Sequence, residues 1–343
     1  MSAGPSCPIE YRYRATEFRR TPSLEADTVY VIGGLYGNTE ALRTILAMQA
    51  EEARQGRRVS LVFNGDHNWF DIDPASFEAI NTAALEGLAI RGNVEAEIAS
   101  PTDGCGCNYP DYVNAEYVAR SNAIMAQLQA TARDFPKIRE ALSALPMFRT
   151  IQVGDVRIGV VHGDAESLAG WSFAAERLSP LGKSCSGDEP TTQLTPLDTI
   201  ERIFREANVH AFASAHTCLA HARDFMVDGK PRLIINNGAA GLPNFAATRF
   251  GLLTRISVDP TVPGESLYGI AQNGVRFDAL PVRYDHEAWL RSFVRNWPQG
   301  SPAHIAYFGR IMNGPDFEPG DAVGGKVVPN LAAARFVDIR RSG

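Results

Sequence analysis

The first third of the chain alternates short apolar runs with longer segments whose apolar residues recur every three or four positions. The short runs predict strands at 28–32, 59–63 and 88–90, and the longer segments predict helices at 39–55 and 74–85. Strands separated by helices in this way form parallel sheets with helices packed on their faces. The start of the chain therefore predicts an α/β arrangement.

The pattern changes near residue 223. Before it, we predict helices at 113–131, 136–144 and 197–206, a hairpin of 148–153 with 156–161, and a strand at 209–212. From 223 to about 282 the pattern is mostly β, with turns at 228–229 and 273–274. Parallel units followed by β-rich units predict two sheets packed together with helices outside.

The ends of the chain differ from the middle and suggest three parts. Residues 1–26 read as an irregular N-terminal arm, 27–285 as one domain, and 286–343 as a C-terminal extension. The extension has amphipathic segments at 286–297 and 302–312, followed by a glycine- and proline-rich tail. A polar stretch at 178–195 is either a surface excursion or a lid.

Composition narrows the class of protein without naming a function. The 343 residues are 45% hydrophobic and 21% charged, as in globular proteins, and no apolar run approaches the ~20 residues of a membrane helix. The net charge of -6 without a long run of one sign argues against a nucleic-acid surface. The first residues lack the apolar segment of a secretory signal, so we expect a cytoplasmic protein. Its cysteines should then be reduced. A homo-oligomer is left open.

Three predicted strands end in polar, glycine-containing loops where chemistry is expected. These loops lie at 33–38, at Asn64-Gly65-Asp66 and at 91–93. In α/β proteins, the loops at the carboxyl ends of strands bind ligands. The candidate site therefore lies at this edge of the sheet.

The ordered loops resemble the motifs of the calcineurin-like metallophosphoesterases between about residues 28 and 260. The family carries Asp-x-His, Gly-Asp-x-x-(Asp/Asn), Gly-Asn-His-Glu, a lone His and Gly-His-x-His. Here the corresponding segments are Gly34-Leu-Tyr36, Gly65-Asp66, Gly92-Asn-Val-Glu95, His162 and Ala215-His-Thr-Cys218. The resemblance implies a four-layer α/β/β/α sandwich of two mixed β-sheets flanked by helices, and hydrolysis of a small phosphorylated substrate.

The same resemblance sorts the retained and missing residues by metal ion. One ion's ligands are all retained, and they are Asp66, Asn93, His162 and His216. The other ion loses three of its ligands, whose positions are held by Gly34, Tyr36 and Cys218. Val94 replaces the histidine that usually helps the leaving group depart. The resemblance therefore implies one well-formed site for Mn, Fe or Zn, since imidazole, carboxylate and amide ligands suit such ions.

The substituted ligand positions of the second ion leave alternatives open. Tyr36 and Cys218 could rebuild a second metal site as phenolate and thiolate ligands, or they could be a filler aromatic ring and a buried thiol. Cys105 and Cys107, close after Asn93, either belong to a loop without a chemical role or add thiolates to the site.

Flanking residues complete the hypothesis. His67 and Asp164 are candidates to assist the leaving group, and the substrate pocket is expected to include Gly34, Asn38, Asn68 and Trp69. The leading function is a metal-dependent phosphoesterase acting on a phosphodiester or an activated phosphomonoester. The alternatives are a non-hydrolytic binding or scaffold protein, and an iron- and thiolate-dependent enzyme of the same fold.

Overall fold

Two seven-stranded β-sheets face one another in the computed structural model, which describes residues 9–181, 184, 186, 190, 193–324 and 328–329. The first sheet contains, in spatial order, β1 (Leu24–Ala26), β5 (Phe148–Val153), β6 (Val156–Val161), β7 (Ala211–Ser214), β9 (Lys230–Asn236), β8 (His221–Val227) and β13 (Val323–Gly324). The second contains β14 (Val328–Pro329), β11 (Tyr268–Gln272), β12 (Val275–Val282), β10 (Gly251–Ser257), β2 (Thr28–Ile32), β3 (Val59–Asn64) and β4 (Leu88–Ile90). Both sheets mix parallel and antiparallel pairs.

Helices cover the outer faces of these sheets. They are α1 (Thr39–Arg54), α2 (Pro74–Glu86), α3 (Asn93–Ala99), α4 (Ala115–Ala132), α5 (Pro136–Ala144), α6 (Ala175–Leu178), α7 (Leu197–Ala207), α8 (His286–Asn296) and α9 (Pro302–Asn313), with short 3-10 helices at Ile9–Tyr11 and Ala15–Arg19. The predicted helices lie within a few residues of those observed. The sequence pattern missed α3, because seven residues are too few to show a helical period.

The alternating directions of side chains in β2 show how the layers are built. Val29 and Val31 pack in the core between the two sheets, whereas Tyr30 and Ile32 pack beneath the helices of the second sheet. On the far side, Phe204 of α7 and Phe212 of β7 belong to the core under the helices of the first sheet. The predicted four-layer α/β/β/α sandwich is therefore confirmed.

Both ends of the chain pack on this sandwich. Tyr11 and Phe18 are buried in the core that lies under α7, and β1 joins the first sheet beside β5. In the C-terminal extension, α8 contacts α1 and α9 contacts α4. The domain boundaries at 27 and 286 stay predictions. Much of the polar stretch 178–195 lies outside the described residues, and so does most of the tail after 324.

Within the described ranges, no helix combines the length and the apolar character that crossing a membrane requires.

Asp71, in the loop between β3 and α2, is a buried acid with an incomplete set of hydrogen bonds. Its Oδ1 accepts a hydrogen bond from the Ser76 hydroxyl, whereas its Oδ2 is buried without a partner among the described residues. Burial raises the pKa of Asp71 to about 8. Between pH 4 and 8 the folded chain therefore holds a proton that the unfolded chain releases, and stability falls as the pH rises through this range.

We expect Asp71→Asn to flatten the pH dependence of stability, because the amide cannot ionise. In wild type, this one group lowers the free energy of unfolding by up to about 1.4 kcal/mol per pH unit between pH 5 and 8. Urea unfolding across that range measures the slope. Asp134→Asn, at an exposed position, is the control and should keep the wild-type slope. Equal slopes in Asp71→Asn and wild type would contradict the assignment.

Candidate metal centre

Strand ends from both sheets meet at one buried cluster of polar side chains. Asp66 follows β3 and Asn93 follows β4 in the second sheet, while His162 follows β6 and His216 follows β7 in the first. All four side chains are buried. The parallel pairs β3–β4 and β6–β7 bring these ends to the same edge, which is why residues distant in sequence converge.

The ligand atoms of this cluster have the spacing of a metal site. His162 Nε2 lies 3.2 Å from Asp66 Oδ2, 3.2 Å from Asn93 Oδ1 and 3.2 Å from His216 Nδ1. Ligands bonded at ~2.0–2.1 Å in a tetrahedron are about 3.3–3.4 Å apart. Among the described residues, Asp66, His162 and His216 are the one group of His, Cys, Asp or Glu residues with such convergence. The residues present therefore fit a small transition-metal ion.

Backbone carbonyls select which ring nitrogen each histidine turns to the centre. His162 Nδ1 donates to the carbonyl of Asn64 at 2.9 Å, and His216 Nε2 donates to the carbonyl of Cys107 at 3.0 Å. Asn93 Nδ2 donates to the carbonyl of Cys105 at 2.9 Å. These bonds leave His162 Nε2, His216 Nδ1 and Asn93 Oδ1 with their lone pairs toward one another, as ligation requires.

Electrostatics inside the cluster favour a cation. Burial opposes ionisation of Asp66, but neighbouring His162 holds the pKa of Asp66 below its ordinary value. Burial also disfavours charged His162, yet the Asp66 carboxylate raises the pKa of His162 overall. Burial, with His162 next to it, lowers the pKa of His216 to about 4. At neutral pH the cluster therefore holds the Asp66 carboxylate and a neutral His216 imidazole, two groups that a cation can bind.

The carboxylate of Glu95 holds the two loops of the second sheet together. Its Oε2 accepts from the backbone N–H of Asp66 at 2.7 Å and of Gly92 at 2.9 Å, and its Oε1 accepts from Asn68 Nδ2 at 3.1 Å. Asp66 has a left-handed φ of 53°, which costs an ordinary residue of order 1 kcal/mol or more unless its surroundings hold it. Glu95 supplies that support, and no alternative carboxylate serves both loops among the described residues.

Gly92 is required by close packing at this point. A Cβ added at Gly92 would lie 2.1 Å from Asp66 Oδ1, well inside van der Waals contact. The absence of a side chain lets the start of α3 approach the Asp66 carboxylate, and the Val94 N–H donates to Asp66 Oδ1 at 3.1 Å.

Tyr36 and Cys218, at two positions where the resemblance implied ligands of a second ion, contact each other. The Tyr36 hydroxyl and Cys218 Sγ are 2.6 Å apart, and an added Cβ at Gly34 would lie 2.6 Å from the Tyr36 ring. The tyrosine ring thus uses the space beside Gly34. Burial raises the pKa of Tyr36 well above its ordinary value and raises the pKa of the Cys218 thiol. Ligation by this pair stays a prediction.

The remaining predicted residues lie at varied distances from the centre. Trp69 lines the cavity that also contains Asp66 and His216, and its role in substrate binding stays a prediction. Asn38 begins α1, where its Oδ1 accepts from the Ala41 N–H, and Asn68 hydrogen bonds with Asn81 and Glu95. The side chains of Asn38 and Asn68 thus stabilise the local structure through these hydrogen bonds.

His67 and Asp164 are not among the residues that line the cavity. His67 is buried, its ring nitrogens have no hydrogen-bond partner among the described residues, and its Nδ1 lies 3.5 Å from Glu95 Oε1. The carboxylate of Asp164 accepts backbone N–H bonds from Glu166, Ser167 and Ser172. The Asp164 carboxylate thus holds its own loop, and the catalytic roles of both residues stay predictions.

Two features of the site were missed from the sequence. The first is the segment 105–107, whose backbone carbonyls orient Asn93 and His216; two cysteines in a turn-rich segment just after Asn93 were the available signal. The second is α9, which brings Tyr307 and Arg310 to the cavity. The residues that line this cavity are Tyr36, Asp66, Trp69, Asn93, Val94, Cys107, Tyr109, Tyr117, Trp171, His216, Cys218, Leu242, Tyr307 and Arg310.

Comparisons with known proteins agree on the fold. No protein-family model and no curated protein sequence matches the chain. A solved structure, the hypothetical protein PH1004 from Pyrococcus horikoshii OT3, is similar with a TM-score of 0.50 and 17% identity over 84% of this chain and 99% of that one. A metallophosphoesterase from Sphaerobacter thermophilus gives a TM-score of 0.45 and 18% identity over 82% and 98% of the two chains.

Vacuolar Protein Sorting 29 from Cryptosporidium parvum is also similar, with a TM-score of 0.33 and 15% identity over 75% of this chain and 98% of that one. The predicted calcineurin-like fold is confirmed. At these identities the similarities concern the fold, and they assign no activity to the chain.

We expect Glu95→Gln to lower the affinity for metal by about 10–100-fold, as loss of groups that orient ligands typically does. The amide would present a donor where Oε2 now accepts two backbone N–H bonds, so Asp66 would lose its position. Titration with Mn²⁺ or Zn²⁺ measures the change. Glu97→Gln is the matched control on α3, because the Glu97 carboxylate bonds to Tyr11 and Thr102 instead of the Asp66 loop. Unchanged affinity in Glu95→Gln would contradict this role.

Proposed function

We propose that this chain is a metal-dependent hydrolase of phosphoric esters that works with a single ion. The observation that supports it most is the convergence of Asp66, Asn93 and His216 on His162, whose Nε2 lies 3.2 Å from a ligand atom of each. The calcineurin-like fold provides the frame, and the substrates we infer are phosphodiesters or activated phosphomonoesters of small molecules.

The donor set indicates which metal the chain would take. Two imidazoles, one carboxylate and one amide oxygen suit a borderline transition metal such as Mn, Fe or Zn. When bound, such an ion supplies Lewis-acid chemistry that favours attack of water on phosphorus. The chain contributes the geometry: Cys107 and Asn64 carbonyls fix the imidazoles, and Glu95 fixes the Asp66 loop.

The substitution at position 94 limits the leaving group. Val94 lines the cavity where the resemblance places a histidine, so the side chain there has no proton to give. Loss of a general acid typically costs about 10²–10⁴-fold in rate. We therefore infer esters whose leaving group departs without protonation, such as aryl esters.

A binding protein with a relic site is the second candidate function. Two features favour it. Val94 lines the cavity and cannot donate a proton. The contact of Tyr36 with Cys218 occupies the place of a second ion. Metal content and turnover, measured on the same preparation, distinguish the two candidates.

We expect the purified protein, expressed with Mn and Fe supplied, to hold about one ion per chain and to hydrolyse bis(4-nitrophenyl) phosphate slowly. Asp66→Asn and His162→Ala should each remove metal and turnover together, because each deletes a ligand. His304→Ala, on α9 and outside the cluster, should retain both. Elemental analysis and release of 4-nitrophenol are the measurements. Absence of metal would contradict the proposal, and metal without turnover would favour the binding protein.

Restoring the family's residues should rebuild the second half of the site. We expect Gly34→Asp with Tyr36→His and Cys218→His to raise the metal content from about one to about two ions per chain. Gly34→Asp alone should destabilise the protein, since its Cβ would lie 2.6 Å from the Tyr36 ring. Elemental analysis and thermal unfolding measure the two effects. A triple variant that folds and still holds one ion would contradict the sorting of ligands by ion.

A further inference from the structure

Arg310 of α9 brings a fixed positive charge to the cavity. Its Nη2 donates to the carbonyl of Cys218 at 2.8 Å, and both Nη2 and Nε donate to the carbonyl of Pro243 at 3.3 Å. These bonds hold the guanidinium in one orientation. Arg310 shares the cavity with Asp66 and His216 of the metal cluster.

This charge is not neutralised by the protein within the described part of the chain. Among the described residues, the hydrogen bonds of Arg310 all go to backbone carbonyls through Nη2 and Nε, so Nη1 has no acceptor there and no carboxylate pairs with the group. Arg310 is the one Lys or Arg side chain in the cavity lining among the described residues, and Asp66 is the one carboxylate there. A half-buried guanidinium with unused donors is a binding site for an anion.

Arg310 lies on the side of the cavity where the second ion is missing. Its partner Cys218 and the neighbouring Tyr36 hold two positions that the resemblance gives to ligands of that ion. The wall around them is largely aromatic, with Tyr36, Trp69, Tyr109 and Tyr307. A charge acts more strongly in such surroundings than in water.

We propose that Arg310 binds an oxygen of the substrate's phosphoryl group and supplies the positive charge that a second metal ion would have contributed. This inference rests on the proposed function. The phosphoryl group would lie between the cluster of Asp66, His162 and His216 on one side and the guanidinium on the other. Arginine suits this task because its charge is permanent and the two N–H bonds of Nη1 remain for phosphate oxygens, while Nη2 and Nε hold the group in place. The proposal makes the C-terminal extension part of the substrate site.

Calorimetric titration with inorganic phosphate tests this assignment in the full-length protein, both after removal of metal with EDTA and after loading with Mn²⁺. Arg310→Gln should weaken phosphate binding in both states by roughly 10-fold to 100-fold, the usual effect of a charge-assisted hydrogen bond. Arg310→Lys, which keeps the charge but not the planar guanidinium, should weaken it less. Arg291→Ala, at an exposed position on α8, should bind phosphate as wild type does.

The outcomes separate this inference from the proposed function. Metal content should be the same in Arg310→Gln and wild type, because Arg310 is not a ligand, and thermal unfolding shows whether α9 stays in place. Phosphate affinity that is equal in Arg310→Gln and wild type, or wild-type protein that binds no phosphate in either state, would overturn the inference. If wild type binds no metal, the proposed function fails, while phosphate binding by the metal-free protein still decides the role of Arg310.

Discussion

The carboxylate of Glu95 is the contact on which the rest of the centre depends. It accepts backbone N–H bonds from the loop after β3 and from the loop after β4, and it does so in a fully buried position. Buried N–H groups without acceptors are costly, so the two loops and the acid stabilise one another. The left-handed backbone of Asp66 persists because this support fixes it, and the ligand carboxylate then faces the histidines of the opposite sheet.

The candidate metal cluster and the neighbouring pair of Tyr36 and Cys218 have separate physical characters. In the cluster, backbone carbonyls orient Asn93, His162 and His216, so their lone pairs point to one centre. In the neighbouring pair, the Tyr36 ring fills the space beside Gly34 and its hydroxyl contacts Cys218 Sγ. Gly34 and Tyr36 fit each other, because a side chain at position 34 would collide with the tyrosine ring.

The C-terminal extension is more than a cover on the sandwich. Helix α9 packs against α4 and places Tyr307 and Arg310 on the cavity, so the segment after residue 286 supplies part of its wall. The guanidinium of Arg310 donates to the carbonyl of Cys218, beside the contact of Cys218 with Tyr36. The cavity thus combines the candidate metal cluster with a guanidinium.

The sequence alone determined most of the helices and strands and named four candidate ligands. Apolar periodicity is a local property, so strands such as β2 and helices such as α5 follow from it directly. The resemblance of the ordered loops to family motifs named Asp66, Asn93, His162 and His216, whose side chains converge in the structure. Only the tertiary structure decided the rest. The carbonyls of Cys105 and Cys107 act through backbone atoms that residue type does not reveal, and Arg310 reaches the cavity through the packing of α9 on α4. His67 follows Asp66 in sequence, yet it turns away from the cavity, because backbone direction in a loop is set by long-range contacts such as those of Glu95.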